Sequence, residues 1–164
     1  MSLNLETIQL QEWLPESLEP FYERTENRQQ HLQVDIAPDL PPLTSDPASL
    51  SRIVAELLNN ACKYTPPGEW IRIMIRIKAA MVGSQEPRYA SLVISVSNSG
   101  VEIPVSELPH VFDRFYRVAG ADRWKQGGTG LGLALVQKLV DHLGGTIRVE
   151  STTNLTCFTV ELPL

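Results

Sequence analysis

Glu56, Asn60 and Lys63 follow one another within "IVAELLNNACKY" at spacings of four and three residues. On a helix turning about 100° per residue they fall within roughly 60° of one another, beside the apolar arc rather than opposite it. An asparagine oxygen in such a stripe can ligate a hard cation such as Mg²⁺, which keeps several waters and shares phosphate oxygens. Lys63 would supply a point charge to those phosphates, and Glu56 could orient a metal-bound water. The same residues also fit an ordinary boundary stripe with an i, i+4 polar pair.

Two further groups invite chemistry. "GGTGLGL", residues 127–133, opens a helical pattern with glycines. Backbone N–H groups at a helix start are unpaired and the dipole there favours anions, so glycines that admit phosphate make a physical anion site. "RVAGADRWKQ" stands where a dinucleotide fingerprint needs a strand, and a Gly-Lys-Ser/Thr phosphate loop is absent; a flexible loop before a close helix contact is the plain alternative. The third group joins distant residues. In "LVISVSNSGVEIP" the inward face Leu92, Ile94, Val96 ends on Asn98, and in "TCFTVELP" Thr156 shares the face of Phe158 and Val160. Two polar groups then point into an apolar layer. They could bond each other or the backbone, or they could read the polar edge of a purine, since a carboxamide both accepts and donates.

The elements that position these groups read as mixed α/β. Asp46 caps and Pro47 opens a helix in which Leu50, Ile53, Val54, Leu57, Leu58, Ala61 and Cys62 keep the helical rhythm until Pro66 and Pro67. "WIRIMIRIKA" is the cleanest strand, and it returns through a polar connection into the strand ending at Asn98, giving an antiparallel hairpin. "TIQLQEWL" reads as a short strand or extended entry and "PESLEPFYERTENRQ" as a helix with Pro15 near its first turn and Leu18, Phe21 and Tyr22 on one side. "HLQVDIA" is a strand, and "PDLPPLTSD" a turn-rich connection. The segment from Ser99 to Gly128 is long and irregular, interrupted by "LPHVFDRFYRV". A helix with Leu131, Leu135, Val136, Leu139, Val140 and Leu143 on one side follows, and two strands close the chain.

At 164 residues and 43% hydrophobic content, the chain suits one domain burying roughly 70% of its unfolded surface. No stretch approaches the ~20 apolar residues of a membrane span, nor does the start carry a basic then apolar leader. A net charge of −5 without a long basic run argues against general nucleic-acid binding. Cys62 and Cys157 suit reduced core thiols.

In order, "ELLNNACKYTPPG", "NSGVEIP", "VFDRFYRV", "GGTGLGLALVQKLVDHLGGTIRVES" and "TCFTVELPL" resemble the catalytic ATP-binding domain of sensor histidine kinases in two-component systems. That domain is one branch of the ATPase fold shared with type II topoisomerases, Hsp90 chaperones and mismatch-repair MutL proteins. The resemblance covers nearly the whole chain. It implies a two-layer α/β sandwich, with a mixed, mostly antiparallel sheet of about five strands, three helices on one face, and a long ATP lid at about residues 104–127. It implies Mg-ATP as ligand and transfer of the γ-phosphoryl group to a histidine on a separate dimerisation domain, for onward passage to a response regulator.

By matching position, the resemblance makes Asn60 the Mg²⁺ ligand, Lys63 a phosphate contact and Tyr64 a wall beside the nucleotide. Glu56 falls where the family often has Asn and where topoisomerase relatives place a water-activating Glu. Asn98 would contact the adenine amine, Gly100 and Ile103 would shape the base pocket, and Thr156 would complete its polar edge through water. Phe112, Arg114 and Phe115 belong to the lid box, Arg114 as a triphosphate contact. Gly128, Thr129, Gly130, Leu131 and Gly132 would offer backbone donors to phosphate. The chain departs from the family's Asp-x-Gly-x-Gly box, carrying Asn98 for the Asp and Glu102 for the second Gly; losing that Gly would limit backbone freedom near the base.

None of His31, His110 and His142 precedes an acidic residue on a helix as a phosphoacceptor does. Residues 1–14 are accordingly expected to be a junction from a separate dimerisation domain, and 15–164 the catalytic domain. The expected setting is cytoplasmic, as a monomer when isolated, without nucleic-acid or direct membrane contact. A non-catalytic ATP sensor and a stand-alone ATPase of the same fold, with Glu56 as base, are the alternatives.

Overall fold

Alternating isoleucines build the centre of the sheet. In β4 (Trp70–Ala80) the side chains of Ile71, Ile73 and Ile75 are buried, and its antiparallel partner β5 (Arg88–Ser99) sets Val96 opposite Ile73 and Ile94 opposite Ile75. β7 (Leu155–Pro163) continues these rows with Phe158 and Val160, and β6 (Thr146–Thr152) with Val149 and Ile147. β2 (His31–Ile36) runs parallel to β4 on the far edge, Val34 opposite Ile73 and Ile36 opposite Ile75. The order is β2-β4-β5-β7-β6, a mixed, mostly antiparallel five-stranded sheet. Each fully buried aliphatic side chain in these rows contributes about 1.5–3 kcal/mol relative to exposure. The computed structural model describes residues 2–80, 88–114, 116 and 131–164.

The helices lie on the face to which those rows point. In α2 (Pro47–Tyr64) the Asp46 carboxylate accepts the Ser49 N–H at 3.1 Å, and Leu50, Ile53, Val54, Leu57, Leu58, Ala61 and Cys62 are buried as the periodicity requires. Asp46 Oδ2 also accepts from the Asn4 N–H at 3.0 Å, and these two backbone donors, Asn4 foremost, hold the carboxyl below its ordinary pKa. At the other end of α2, Nε2 of buried Gln30 donates to the carbonyls of Cys62 at 2.8 Å and Thr65 at 2.7 Å. Burial pushes the Cys62 thiol pKa up, and both Cys62 and half-buried Cys157 are free.

α1 (Leu10–Asn27) begins five residues before the expected start, because both prolines can be carried inside it. Pro15 and Pro20 lie on its exposed side, as do Gln11 and Glu16 one turn earlier, whose carbonyls can turn to water. Leu10, Leu14, Leu18 and Phe21 form its buried stripe, whereas Tyr22 is 44% exposed. The connection before α2 contains β3 (Leu43–Ser45), antiparallel to β1 (Glu6–Ile8); Pro41 and Pro42 disguise it in the sequence.

Leu108–His110 form a 3₁₀ turn, and α3 (Gly132–His142) buries Val136, Leu139 and Val140 and packs against α2 and β6. Leu131, expected on the buried side, precedes the helix and is 39% exposed. Among the described residues no helix is long and apolar enough to cross a membrane.

Candidate nucleotide-binding site

One row of the sheet changes character. Beyond the apolar rows, Ile71, Asn98, Thr156 and Ser151 stand opposite one another across β4, β5, β7 and β6. Asn98 and Thr156 are buried, so their polar atoms need partners. Asn98 Nδ2 donates to the Thr65 hydroxyl at 3.0 Å, just past the end of α2. The Thr156 hydroxyl donates to the Val101 carbonyl at 2.9 Å and lies 3.0 Å from Ser151 Oγ. Ser151 Oγ in turn accepts the Ile103 N–H at 2.8 Å. Asn98 and Thr156 therefore do not bond each other. Among the described residues no donor meets Asn98 Oδ1, and the only sealed side-chain polar atom without a partner is Gln30 Oε1, so Asn98 Oδ1 keeps access from outside.

The loop after β5 is pinned by this row. Gly100 has φ +77°, and a Cβ there would lie 2.7 Å from Glu69 Cγ, so both the backbone and the space demand glycine. Glu69 is held by Ser99, whose hydroxyl donates to it at 2.6 Å and accepts the Trp70 N–H at 2.9 Å. Among the described non-glycine residues only Gln29 and Asn154 have positive φ. Glu102 thus sits in backbone that any residue adopts, and the missing second glycine of the box brings no strain. Ile103 is buried in the core beneath the loop.

Glu56, Asn60, Lys63 and Tyr64 line α2, each half-buried. Glu56 pairs with Arg52 at 3.0 Å, and its other oxygen lies 2.7 Å from where a Cβ on Gly132 would stand. The glycine that begins α3 thereby lets the two helices approach, and places a carboxylate where the helix dipole favours it. Among the described residues the side chains of Asn60 and Lys63 have no hydrogen-bond or ion-pair partner, and no group of three His, Cys, Asp or Glu side chains could cage a metal. A carboxamide and a carboxylate one turn apart suit a hard cation that brings its own waters and phosphate oxygens, not an all-protein cage.

Of the lid box, Val111 is buried and Phe112 packs edge-on against Phe158, ring centroids 6.0 Å apart, while Arg114 is exposed. The Tyr116 hydroxyl donates to Glu107 at 2.6 Å, and that carboxylate pushes the phenol pKa up to about 12. Phe115, Gly128, Thr129, Gly130 and residues 117–127 of the expected lid lie outside the described residues.

The structure thus gathers Asn98, Gly100, Ile103 and Thr156 at one end of β5 and β7, and brings Glu56 against Gly132. Tyr64 adjoins Thr65, the partner of Asn98. Thr65 and Ser151 are the members that motif reading passes over. Ser151 was within reach, since Ile147, Val149 and Ser151 alternate inward along β6; Thr65 was not, because its role depends on where α2 ends against β5.

The fold is an α/β sandwich, a helix-covered mixed sheet with a buried carboxamide at one edge and, on the neighbouring helix, Asn60 and Lys63 without side-chain partners among the described residues. Residues 45–164 match the family described as "Histidine kinase-, DNA gyrase B-, and HSP90-like ATPase", and the chain belongs to that family, which implies ATP binding. It is 42% identical over 122 residues to the signal transduction histidine-protein kinase/phosphatase MprB of Mycobacterium avium, covering 74% of this chain and 21% of that protein. It is 40% identical over 121 residues to the sensor histidine kinase CusS of Escherichia coli O157:H7, covering 74% and 23%. Among solved structures, the mycobacterial sensor histidine kinase MprB superposes with a TM-score of 0.73 at 28% identity, over 96% of this chain and 97% of that one. The chain spans about a fifth of the length of the two curated relatives.

Proposed function

We propose that this domain is the catalytic part of a sensor histidine kinase, binding Mg-ATP and delivering the γ-phosphoryl group to a histidine on a separate dimerisation domain. The observation that carries the reading is the conjunction of Asn60 and Lys63, half-buried on α2 and without side-chain partners among the described residues, with the open acceptor of Asn98 just beyond that helix's end. Asn98 Oδ1 accepts from the 6-amino group of adenine, and Thr156 completes that edge through water. Gly100 and Ile103 shape the pocket, and Tyr64 forms a wall beside it.

Lys63 neutralises phosphate charge. Asn60 would hold Mg²⁺, with Glu56 acting at most through water, and that cation would supply charge neutralisation at the phosphates. Arg52 fixes Glu56, and Glu56 fixes the approach of α3. Arg114, exposed at the lid box, supplies a triphosphate contact, and the glycines from Gly128 to Gly132 offer backbone donors. Catalysis is then positioning and charge neutralisation, with proton removal left to the acceptor's own acidic neighbour.

The partners in this reading are the dimerisation helices and, downstream, a response regulator, with a cytoplasmic setting and a monomeric domain in isolation. Residues 1–14 are assigned as the junction to those helices. That junction passes through packed structure, since β1 pairs with β3 and Leu10 and Leu14 are in the core. Incubation with γ-labelled ATP and a matching dimerisation domain tests the reading; label on histidine supports it, and ATP binding without transfer refutes the catalytic part.

A further inference from the structure

Asn98 stands where the family's box carries a carboxylate, and the two side chains differ in what they can present. A carboxylate only accepts. A carboxamide accepts at one end and donates at the other, and which end faces a ligand is set by the partner of the opposite end. Here that partner is a hydroxyl, Thr65 Oγ1, 3.0 Å from Asn98 Nδ2, and the amide is the only side-chain group bonded to it among the described residues. A hydroxyl accepts and donates equally well. A half-turn of the amide, with rotation of the Thr65 O–H, therefore preserves the hydrogen bond and exchanges the outward group from acceptor to donor.

Thr156 adds a second constraint. Its single hydrogen is engaged within the fold, by the Val101 carbonyl at 2.9 Å or by Ser151 Oγ at 3.0 Å, so toward a ligand Thr156 accepts. An acceptor at that point suits the N1–H of a 6-keto purine directly, and adenine N1 through an intervening water. Ser151, whose oxygen accepts the Ile103 N–H at 2.8 Å and lies 3.0 Å from Thr156, holds this arrangement in place.

We propose that the base pocket takes 6-keto purine nucleotides, inosine or guanosine triphosphate, as well as 6-amino ones, through reversal of the Asn98–Thr65 hydrogen bond. This rests on the reading of Asn98 as the base contact. Asn98→Asp removes the donor orientation: a 6-keto oxygen would then face a carboxylate, and a buried acceptor facing an acceptor weakens binding by roughly 5- to 150-fold.

The test is calorimetric binding of ATP, inosine triphosphate and guanosine triphosphate, each with Mg²⁺, to the wild-type domain and to Asn98→Asp. The expected result is inosine triphosphate within about tenfold of ATP for the wild type, and a fall of roughly 5- to 150-fold in the ratio of 6-keto to ATP affinity in Asn98→Asp. Binding of inosine but not guanosine triphosphate also supports the proposal and assigns the exclusion to the 2-amino group. Wild-type binding of ATP with refusal of both 6-keto nucleotides overturns it while leaving the ATP site intact. An equal ratio in wild type and Asn98→Asp overturns the role of the amide, and failure of the wild type to bind any of the three overturns the site reading as well.

Discussion

Asn98 on β5 and Thr156 on β7 are direct cross-strand partners, yet each bonds elsewhere, Asn98 to Thr65 and Thr156 to Val101. The pair ends a sheet whose preceding rows on that face are wholly apolar, so the polarity is confined to one edge of the core. Their separate anchors explain how two polar residues can face one layer without cancelling each other. Asn98 is tied to the helix that carries Asn60 and Lys63, and Thr156 is tied to the loop that carries Ile103.

Removing the Asn98 amide should cost nucleotide affinity in a chemically specific way. Asn98→Leu is expected to bind ATP roughly 5- to 150-fold more weakly. It should also no longer distinguish ATP from purine riboside triphosphate, which lacks the 6-amino group. Retained preference for ATP in competition binding would take the amide out of base recognition.

Asn60 has no partner among the described residues and is only half-buried, so its truncation should spare the fold. Asn60→Ala is expected to lose the increment of ATP affinity that Mg²⁺ provides, leaving metal-free binding unchanged. Titration calorimetry with and without Mg²⁺ checks this; an undiminished Mg²⁺ increment removes Asn60 from the site.

Gly100→Ala meets both a left-handed backbone and the Glu69 side chain 2.7 Å from the new Cβ. The backbone alone costs about 1–2 kcal/mol, which for a domain of this size lowers the thermal midpoint by roughly 2–8 °C. Calorimetric melting at neutral pH is the measurement, and an unshifted midpoint contradicts the geometry.

Asp46 gives the fold a pH signature. Its pKa is lowered in the folded state, first by the Asn4 N–H and then by Ser49, relative to an ordinary value of 3.8. A depressed folded pKa means that its contribution is present above the unfolded value and is lost as pH falls through the folded one. The stability difference between wild type and Asp46→Asn, followed by denaturant titration, should therefore be constant above about pH 5 and shrink toward acid. A difference that grows on acidification reverses the sign and refutes the assignment.

Much of this fold is legible in the sequence because its strands alternate cleanly. Ile71 to Ile77 and Leu92 to Val96 announce their inward faces, and Asp46 and Pro47 announce the start of α2. What escaped reading depends on tertiary context. Pro15 marks a helix start by the usual rule, but an exposed proline is tolerated inside α1, so Leu10 to Leu14 are helical where local pattern suggests a short strand or extended entry. β3 hides behind two prolines and exists because β1 returns to pair with it. In the site, Asn98 and Thr156 could be placed from alternation alone. The Thr65 contact needs the end of α2 to meet β5, and the approach of Glu56 to Gly132 needs α2 to pack on α3; neither is encoded in local spacing.

Phosphoryl transfer to a partner's histidine is what distinguishes a kinase domain from an ATP sensor or a stand-alone ATPase. The most direct measurement is the fate of the label when the domain is mixed with Mg-ATP labelled at the γ-phosphate, with and without a matching dimerisation domain. Acid-labile phosphohistidine is expected on the dimerisation domain, with slow phosphate release at most when the domain is alone. Rapid phosphate release by the isolated domain, or ATP binding with no label ever reaching histidine, would contradict the kinase reading.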